Sequence, residues 1–198
     1  MRNRIPELLA PAGSIESLRA AVNAGADAVY VGGAKYGARA YAENPGETDL
    51  IEGLCYAHRF GVRIHMTVNT LFKEAELLAL PDYITPYYEA GLDAVIVQDL
   101  GALALLHEYF PLLSLHASTQ TTITGANAAK LYQSLGVSRV IPARELSLAE
   151  LTRIKRPWLV TSCKWDDKLV RSALSNGGET QFAALARGVY VVTINGKF

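Results

Sequence analysis

A short apolar run follows a glycine at four places along the chain. The four phrases begin at Gly25, Gly61, Gly91 and Gly136, and in each the apolar run starts three or four residues after the glycine. The runs are rich in β-branched residues and nearly continuous, as expected for strands buried on both faces. Each glycine follows a helix-like stretch, where it can adopt the left-handed conformation that ends a helix. The repeated order of helix, glycine and buried strand predicts a parallel sheet.

The same pattern divides the chain up to about residue 155 into six strand–helix units. The predicted strands span 7–12, 28–32, 63–69, 94–99, 113–118 and 139–143. The predicted helices span about 14–24, 49–60, 73–90, 102–109, 125–135 and 147–155. Repeated right-handed crossovers close toward an eight-stranded (β/α) barrel of TIM type, which six units leave incomplete. An open doubly wound parallel sheet is the alternative.

Local signals mark the ends of several predicted helices. Ser14 is expected to cap the first helix, and Thr122 or Thr124 the fifth. Ser147 and Glu150 have the spacing of a capping box. Proline is tolerated only in the first turn of a helix, so the third helical stretch is expected to break at Pro81.

The regular pattern ends at Pro157. Residues 158–163 and 188–194 are strand-like, but no helix follows the second run. We therefore divide the chain into a partial (β/α) barrel domain, 1–156, and a divergent tail, 157–198. The tail either completes the barrel or is foreign to the fold.

Composition narrows the function classes. Half of the 198 residues are apolar, and the formal net charge is zero, so the chain as a whole does not attract nucleic acid or membrane. A local basic patch remains open. No segment reaches the roughly 18 consecutive apolar residues of a membrane span. Cys55 and Cys163 are far apart, which argues against a disulfide framework and favours a cytoplasmic protein.

Alternation along the strands predicts which side chains face the barrel lumen. His116 and Ser118 lie opposite Leu115 and Ala117, and the apolar set should meet the helices. The polar set should then face the lumen or the carboxyl-terminal rim, where (β/α) barrels hold their sites. The residues expected there are Glu7, Tyr30, Asn69, Gln98, His116, Ser118 and Arg144.

The catalytic candidates are His116, Ser118 and Glu7. His116 is the acid–base candidate, and Ser118 shares its face and could share a ligand. Glu7 sits low in its strand, where pairing with Arg144 or His65 is a structural alternative. The sequence shows neither a Ser–His–Asp order nor an activated cysteine, so no nucleophile is named. The sequence also shows no metal-ligand spacing, phosphate-binding loop of the Walker type or nucleophile elbow.

The substrate-binding candidates are Tyr30, Arg39, Asn69, Gln98 and Arg144. The two guanidinium groups suit bidentate contact with a carboxylate or phosphate. Arg39 also lies between Tyr36 and Tyr41, an alternation of aromatic and cation that suits stacking on a ring. A solvated loop explains the same residues equally well.

Five segments carry a resemblance to a known family. They are 6–13, 25–33, 37–39, 116–120 and 143–147, which read PELLAPAG, GADAVYVGG, GAR, HASTQ and ARELS. Together they resemble the peptidase U32 family, the collagenase-like proteases, from Pro6 to Lys155. The resemblance implies a barrel-like domain and either peptidase activity or a role in hydroxylating tRNA or ribosomal RNA bases. Some members carry an iron–sulfur cluster.

The chain departs from that family after the helix predicted at 147–155. The family signature, E-x-F-x-x-G followed by closely spaced cysteines, should come next, but residues 157–198 contain only Cys163. The resemblance therefore brings no cluster onto this chain, and no cofactor is identifiable. A frameshift or a truncated gene is one explanation, and a true short variant is the other.

Three functions follow as expectations. The first is a cytoplasmic U32-type, collagenase-like peptidase acting on a peptide at the barrel rim. The second is a component of RNA base hydroxylation, and the third is a truncated remnant without catalysis. The expected partners are a peptide or an RNA-linked substrate, no membrane, and a second copy or another chain that completes the barrel.

Overall fold

The computed structural model describes residues 7–38, 44–147 and 150, and the backbone of 160–161 and 192–194. Its strands are β1 (Leu9–Ala12), β2 (Ala28–Gly32), β3 (Arg63–Val68), β4 (Ala94–Val97), β5 (Ser114–Ala117), β6 (Val137–Val140), β7 (Val160–Thr161) and β8 (Val192–Ile194). Its helices are α1 (Ile15–Asn23), α2 (Glu47–Arg59), α3 (Glu74–Glu89), α4 (Leu100–Tyr109) and α5 (Ala126–Ser134). Helices and strands alternate through β6, which confirms the predicted α/β class.

One sheet contains all of these strands. β1 to β6 are neighbours in chain order and every pair among them is parallel. β8 continues the sheet antiparallel to β6, and β7 pairs antiparallel with β8. The two strand-like runs of the tail thus contain strands, although they join the sheet in the antiparallel sense.

The sheet is rolled, as a barrel requires. β1 and β6 are five positions apart, which in a flat sheet would separate them by about 24 Å at about 4.8 Å per strand. Nevertheless Glu7, just before β1, lies with its Oε1 atom 2.9 Å from Nη1 of Arg139 in β6. Within the described residues β1 pairs only with β2, so backbone hydrogen bonds do not close the cylinder. The described part of the chain therefore forms an incomplete (β/α) barrel of TIM type.

The repeated glycines end helices as predicted. Their φ angles are +87°, +71°, +94° and +91° at Gly25, Gly61, Gly91 and Gly136. After α1, the amide of Ala26 donates to the carbonyl five residues before it, at 3.1 Å, the hydrogen bond that marks a left-handed helix end. Each glycine thus turns the chain directly from a helix into the next strand.

In three glycine phrases the third residue contacts an earlier strand or the residue directly before that strand. The Asp27 carboxylate accepts a hydrogen bond from the amide of Leu8 at 2.6 Å, and the Asp93 carboxylate accepts one from the amide of Ile64 at 2.8 Å. Ser138 does the same in reverse, since its hydroxyl donates to the carbonyl of Leu115 at 3.1 Å. We call Asp27, Asp93 and Ser138 the register latches, because each fixes how one strand aligns with the strand before it.

The apolar core lies between the sheet and the helices. Ile64, Met66 and Val68 of β3 belong to it, as do Leu115 and Ala117 of β5. On the opposite face of these two strands His65 and His116 are buried, and Thr67 and Ser114 are half-buried. Within β3 and β5 the apolar and polar side chains thus lie on the two faces that alternation predicts.

The predicted break at Pro81 is wrong. α3 continues through both Pro81 and Pro86, although each removes a backbone hydrogen bond. Leu80, Ile84 and Tyr87 are fully buried on one face of the helix. Their packing outweighs the two missing hydrogen bonds and keeps the helix continuous.

The start of α4 and the cap of α5 differ from prediction. α4 begins at Leu100 because Asp99, expected at the end of a strand, caps it by accepting from the amide of Ala102 at 2.9 Å. The N-cap of α5 is Gly125, whereas Thr122 is left-handed (φ 53°) and ends an unexpected 3₁₀ turn, Thr119–Thr121.

The other capping predictions are confirmed. Ser14 caps α1 by accepting from the amide of Ser17, and Ser147 and Glu150 exchange the hydrogen bonds of a capping box. Among the helices that the structure describes, none is long and apolar enough to cross a membrane.

Candidate functional site

Glu7 lies at the amino-terminal ends of the strands, opposite the rim. Its two carboxylate oxygens accept from Nη1 and Nη2 of Arg139 at 2.9 and 2.8 Å, and Oε2 also accepts from Arg63 at 2.9 Å. Burial raises the pKa of Glu7, but the hydrogen bond and charge of Arg139, aided by Arg63, outweigh it and hold the pKa below its ordinary value. The expected partners Arg144 and His65 are thus replaced by Arg139 and Arg63 as ion-pair partners. Glu7 thus links β3 and β6 at the amino-terminal end of the barrel.

Two histidines lie in the lumen beside this ion pair. The rings of His65 and His116 meet edge to face, with centroids 4.7 Å apart, and both side chains are buried. Burial, with the charge of Arg139, lowers the pKa of His65 to about 4. Burial, with His65 and Arg139 nearby, holds the pKa of His116 well below its ordinary value. Both rings are therefore neutral at neutral pH. We call His65, His116 and Arg139 the lumen cluster.

Ser118 lies directly after β5 but does not bond to His116. Its hydroxyl accepts from the amide of Gln120 at 3.3 Å and so caps the 3₁₀ turn. Nε2 of His116 instead lies 3.3 Å from the hydroxyl of Ser114, toward the start of the strand. In the described part of the chain, then, the two catalytic candidates share a face without forming a nucleophile–base pair.

The loop after β2 is fastened to the rim. Asn69 accepts from the amide of Ala38 at 3.0 Å, and the Tyr83 hydroxyl accepts from the amide of Lys35 at 3.1 Å. Tyr36, left-handed at φ 62°, packs its ring 4.7 Å from Phe72. The Tyr36 ring thus anchors the loop, and this contact competes with the stacking role expected for it.

The remaining binding candidates are spread around the rim. Tyr30 and Gln98 are half-buried, the first in β2 and the second directly after β4. Arg144 is exposed in the turn that follows β6. Arg39, like Tyr41, lies outside the described residues. The structure thus places Asn69, Gln98 and Arg144 near the carboxyl ends of three different strands, and their roles stay predictions.

Arg139 is the main residue that sequence reasoning missed. It is 4% exposed, bonds to Glu7 and is the register neighbour of His116 across β5 and β6. A signal was present, since an arginine inside the apolar run Arg139-Val140-Ile141 needs a buried acidic partner. The partner could not be read from the sequence because Glu7 is 132 positions away.

The residues described do not fit an iron–sulfur cluster. Such clusters are held by several cysteine thiolates, whereas Cys55 is exposed on the outer helix α2 and Cys163 lies beyond the described part of the chain.

Comparison with known proteins identifies the family. The family model described as peptidase family U32 matches residues 13–163. The chain belongs to peptidase family U32. The family match continues past the predicted domain end at 156, through the short strand β7.

Curated relatives of this U32 chain carry two kinds of name. It is 42% identical over 148 residues to the 23S rRNA 5-hydroxycytidine C2501 synthase of Escherichia coli (strain K12), covering 75% of the chain and 22% of the relative. It is 35% identical over 150 residues to tRNA hydroxylation protein P1 of Bacillus subtilis (strain 168), covering 76% and 36%. It is also 38% identical over 149 residues to an uncharacterized protease of Methanocaldococcus jannaschii, covering 75% and 36%. The chain thus spans about a fifth to a third of these relatives.

Solved structures agree on the fold. A U32 peptidase structure superposes with a TM-score of 0.60 at 17% identity, covering 79% of this U32 chain and 66% of the other. The structure of phosphonopyruvate hydrolase superposes with a TM-score of 0.52 at 14% identity, covering 94% of this chain and 74% of the hydrolase. At such identities these likenesses support the barrel architecture alone.

Proposed function

We propose that this chain supplies the barrel part of a protein that takes part in hydroxylating a base of tRNA or ribosomal RNA. The observation that carries the proposal is the 42% identity to an rRNA 5-hydroxycytidine synthase over three quarters of the chain. The tRNA hydroxylation protein of Bacillus subtilis supports it over the same length. RNA base hydroxylation is therefore preferred over peptidase activity as the proposed function.

The rim chemistry is compatible with an RNA base. Single-stranded bases are recognised through hydrogen bonds to their edges, and carboxamides offer both donors and acceptors. Asn69 uses its Oδ1 atom to accept from Ala38, so its amino group is the part it can offer to a ligand. Gln98, after the neighbouring strand β4, supplies a second carboxamide. In this proposal the two side chains bind the base edge.

A peptidase remains the second candidate because one relative is named an uncharacterized protease. The geometry gives it less support. A serine nucleophile needs a base within hydrogen-bond reach, whereas the His116 ring bonds to Ser114 and Ser118 caps a turn. A peptidase would require a nucleophile other than Ser118 in the arrangement described.

The deciding experiment measures hydroxylated nucleosides. Total tRNA and rRNA from cells that lack this gene are digested and analysed by mass spectrometry, with and without the gene restored. We expect one hydroxylated nucleoside to disappear and to return with the unaltered gene. A double variant, Asn69→Ala with Gln98→Ala, should restore it about thirtyfold less well, since two lost hydrogen bonds at about 1 kcal/mol each weaken binding by about 2 kcal/mol.

The matched control moves the same change to the outer helix α5. Asn127→Ala with Gln133→Ala also removes two carboxamides but leaves the rim intact, so it should restore the nucleoside fully. Unchanged nucleosides in the deletion strain, together with cleavage of gelatin by the purified chain, would replace this proposal by the peptidase.

A further inference from the structure

A chain of hydrogen bonds at the lumen wall determines where protons lie. The Ser138 hydroxyl is 3.1 Å from the carbonyl of Leu115, and a carbonyl can only accept, so Ser138 donates there. The Ser114 hydroxyl is 2.5 Å from that of Ser138. Since the proton of Ser138 is already used, Ser114 must donate to Ser138.

The same series of hydrogen bonds determines the tautomer of His116. Its Nε2 atom is 3.3 Å from the Ser114 hydroxyl, whose only proton points toward Ser138. Nε2 must therefore carry the proton and donate to Ser114. In the neutral ring Nδ1 then has a bare lone pair and can only accept. This Nδ1 atom is buried and has no hydrogen-bond partner among the described residues.

Two further nitrogen atoms of the lumen cluster are also buried without a hydrogen-bond partner among the described residues. They are Nε of Arg139 and Nδ1 of His65. Arg139 is the neighbour of His116 in the β5–β6 register, and the His65 ring contacts the His116 ring. Nε of Arg139 can only donate, and the two terminal nitrogens of that side chain are held by Glu7. One acceptor, one donor and one further histidine nitrogen are therefore left within a single buried cluster.

We propose that the lumen cluster binds one water molecule, which donates to Nδ1 of His116, accepts from Nε of Arg139 and bonds to Nδ1 of His65. Three hydrogen bonds are the usual number for a buried water. An anion would face the bare lone pair of His116, and a metal cation would lie beside the guanidinium of Arg139. Only a neutral O–H group satisfies both atoms. The site joins β3, β5 and β6 inside the barrel and does not depend on the RNA proposal.

The first test uses the unaltered protein. Long-range nitrogen-15 NMR distinguishes the tautomers of His116 and shows whether the ring is charged. We expect the proton on Nε2, and no imidazolium, at neutral pH and also at the ordinary imidazole pKa of 6.5, because burial holds the pKa of His116 well below that value. A proton on Nδ1, or a charged ring at about pH 6, would overturn the proposal, because Nδ1 would then no longer accept.

The second test counts long-lived internal water by oxygen-17 relaxation dispersion. His116→Phe removes the acceptor with a ring of similar size, and we expect one long-lived water fewer than in the unaltered protein. His107→Phe makes the same change on an exposed face of α4 and should leave the count unchanged. An equal count in His116→Phe and the unaltered protein contradicts the proposal. If His116→Phe fails to fold, the count in the unaltered protein decides, because the absence of any long-lived internal water there contradicts the proposal.

Discussion

At the scale of single residues, Glu7 has the largest structural role of the candidates named from the sequence. Its carboxylate binds Arg139, whose side chain is 5% exposed, and Arg63, whose side chain is 47% exposed. The two ion pairs differ in burial, so they should differ in strength. A buried cation that loses its partner is strongly destabilising, whereas an exposed pair contributes little.

Glu7→Gln should therefore lower the free energy of unfolding by about 3 kcal/mol, since it leaves the buried Arg139 without a counter-charge. Arg63→Gln is the matched change on the exposed side and should lower it by less than about 1 kcal/mol. Urea denaturation of both variants measures the difference. Equal losses would show that Arg139 does not depend on Glu7.

Properties of single residues could be predicted where they depend on sequence neighbours, and not where they depend on residues distant in the sequence. The lumen position of His116 was predictable, because alternation within one strand determines it. The hydrogen bond of His116 to Ser114 rather than to Ser118 was not, since both serines share its face. Which serine it contacts depends on the ring rotamer and on the close contact with His65.

At the scale of elements, the four glycine phrases explain why β2, β3, β4 and β6 were recognisable in the sequence. Each phrase combines a helix stop with a buried strand, and both signals lie within a few residues. α3 shows the opposite case. The two prolines are a strong local signal for a break, but the burial of Leu80, Ile84 and Tyr87 overrides it, and that burial depends on the rest of the fold.

Replacing a left-handed glycine tests the helix stops. Gly61→Ala should lower the free energy of unfolding by about 1 kcal/mol, because its φ is +71° although the site is open. Gly136→Ala should lower it by about 2 kcal/mol, since the added methyl would also lie 2.6 Å from the His107 ring, which must then move.

Gly13→Ala is the control for both variants, because Gly13 is open and its φ is not left-handed. Its unfolding energy should stay within about 0.5 kcal/mol of the unaltered protein. Thermal or urea denaturation ranks the three variants. A loss at Gly13 as large as at Gly61 would contradict the role of the left-handed conformation.

At the scale of the whole molecule, the lumen couples stability to pH. The folded barrel holds the pKa values of Glu7, His65 and His116 below their ordinary values. For each of these groups the unfolded chain binds protons more readily, so the free energy of unfolding falls as the pH falls. The pKa of His65, which the fold lowers from 6.5 to about 4, defines the pH range of this decline.

The midpoint of urea unfolding should accordingly be constant at neutral pH and decline steadily from about pH 6.5 to about pH 4. His65→Phe cannot take up this proton and should show a shallower decline across the same range. Ser134→Ala, an exposed hydroxyl on α5, should retain the full decline. A midpoint independent of pH across this window would show that the lumen histidines are not held neutral by the fold.

The register latches have a consequence for how the protein is made. A ribosome releases the chain from its amino end, and every latch reaches backward, from Asp27 to Leu8, from Asp93 to Ile64 and from Ser138 to Leu115. Each newly synthesised strand therefore meets a partner that has already left the exit tunnel. The alignment of each of these strands can be settled during translation, before the next unit exists.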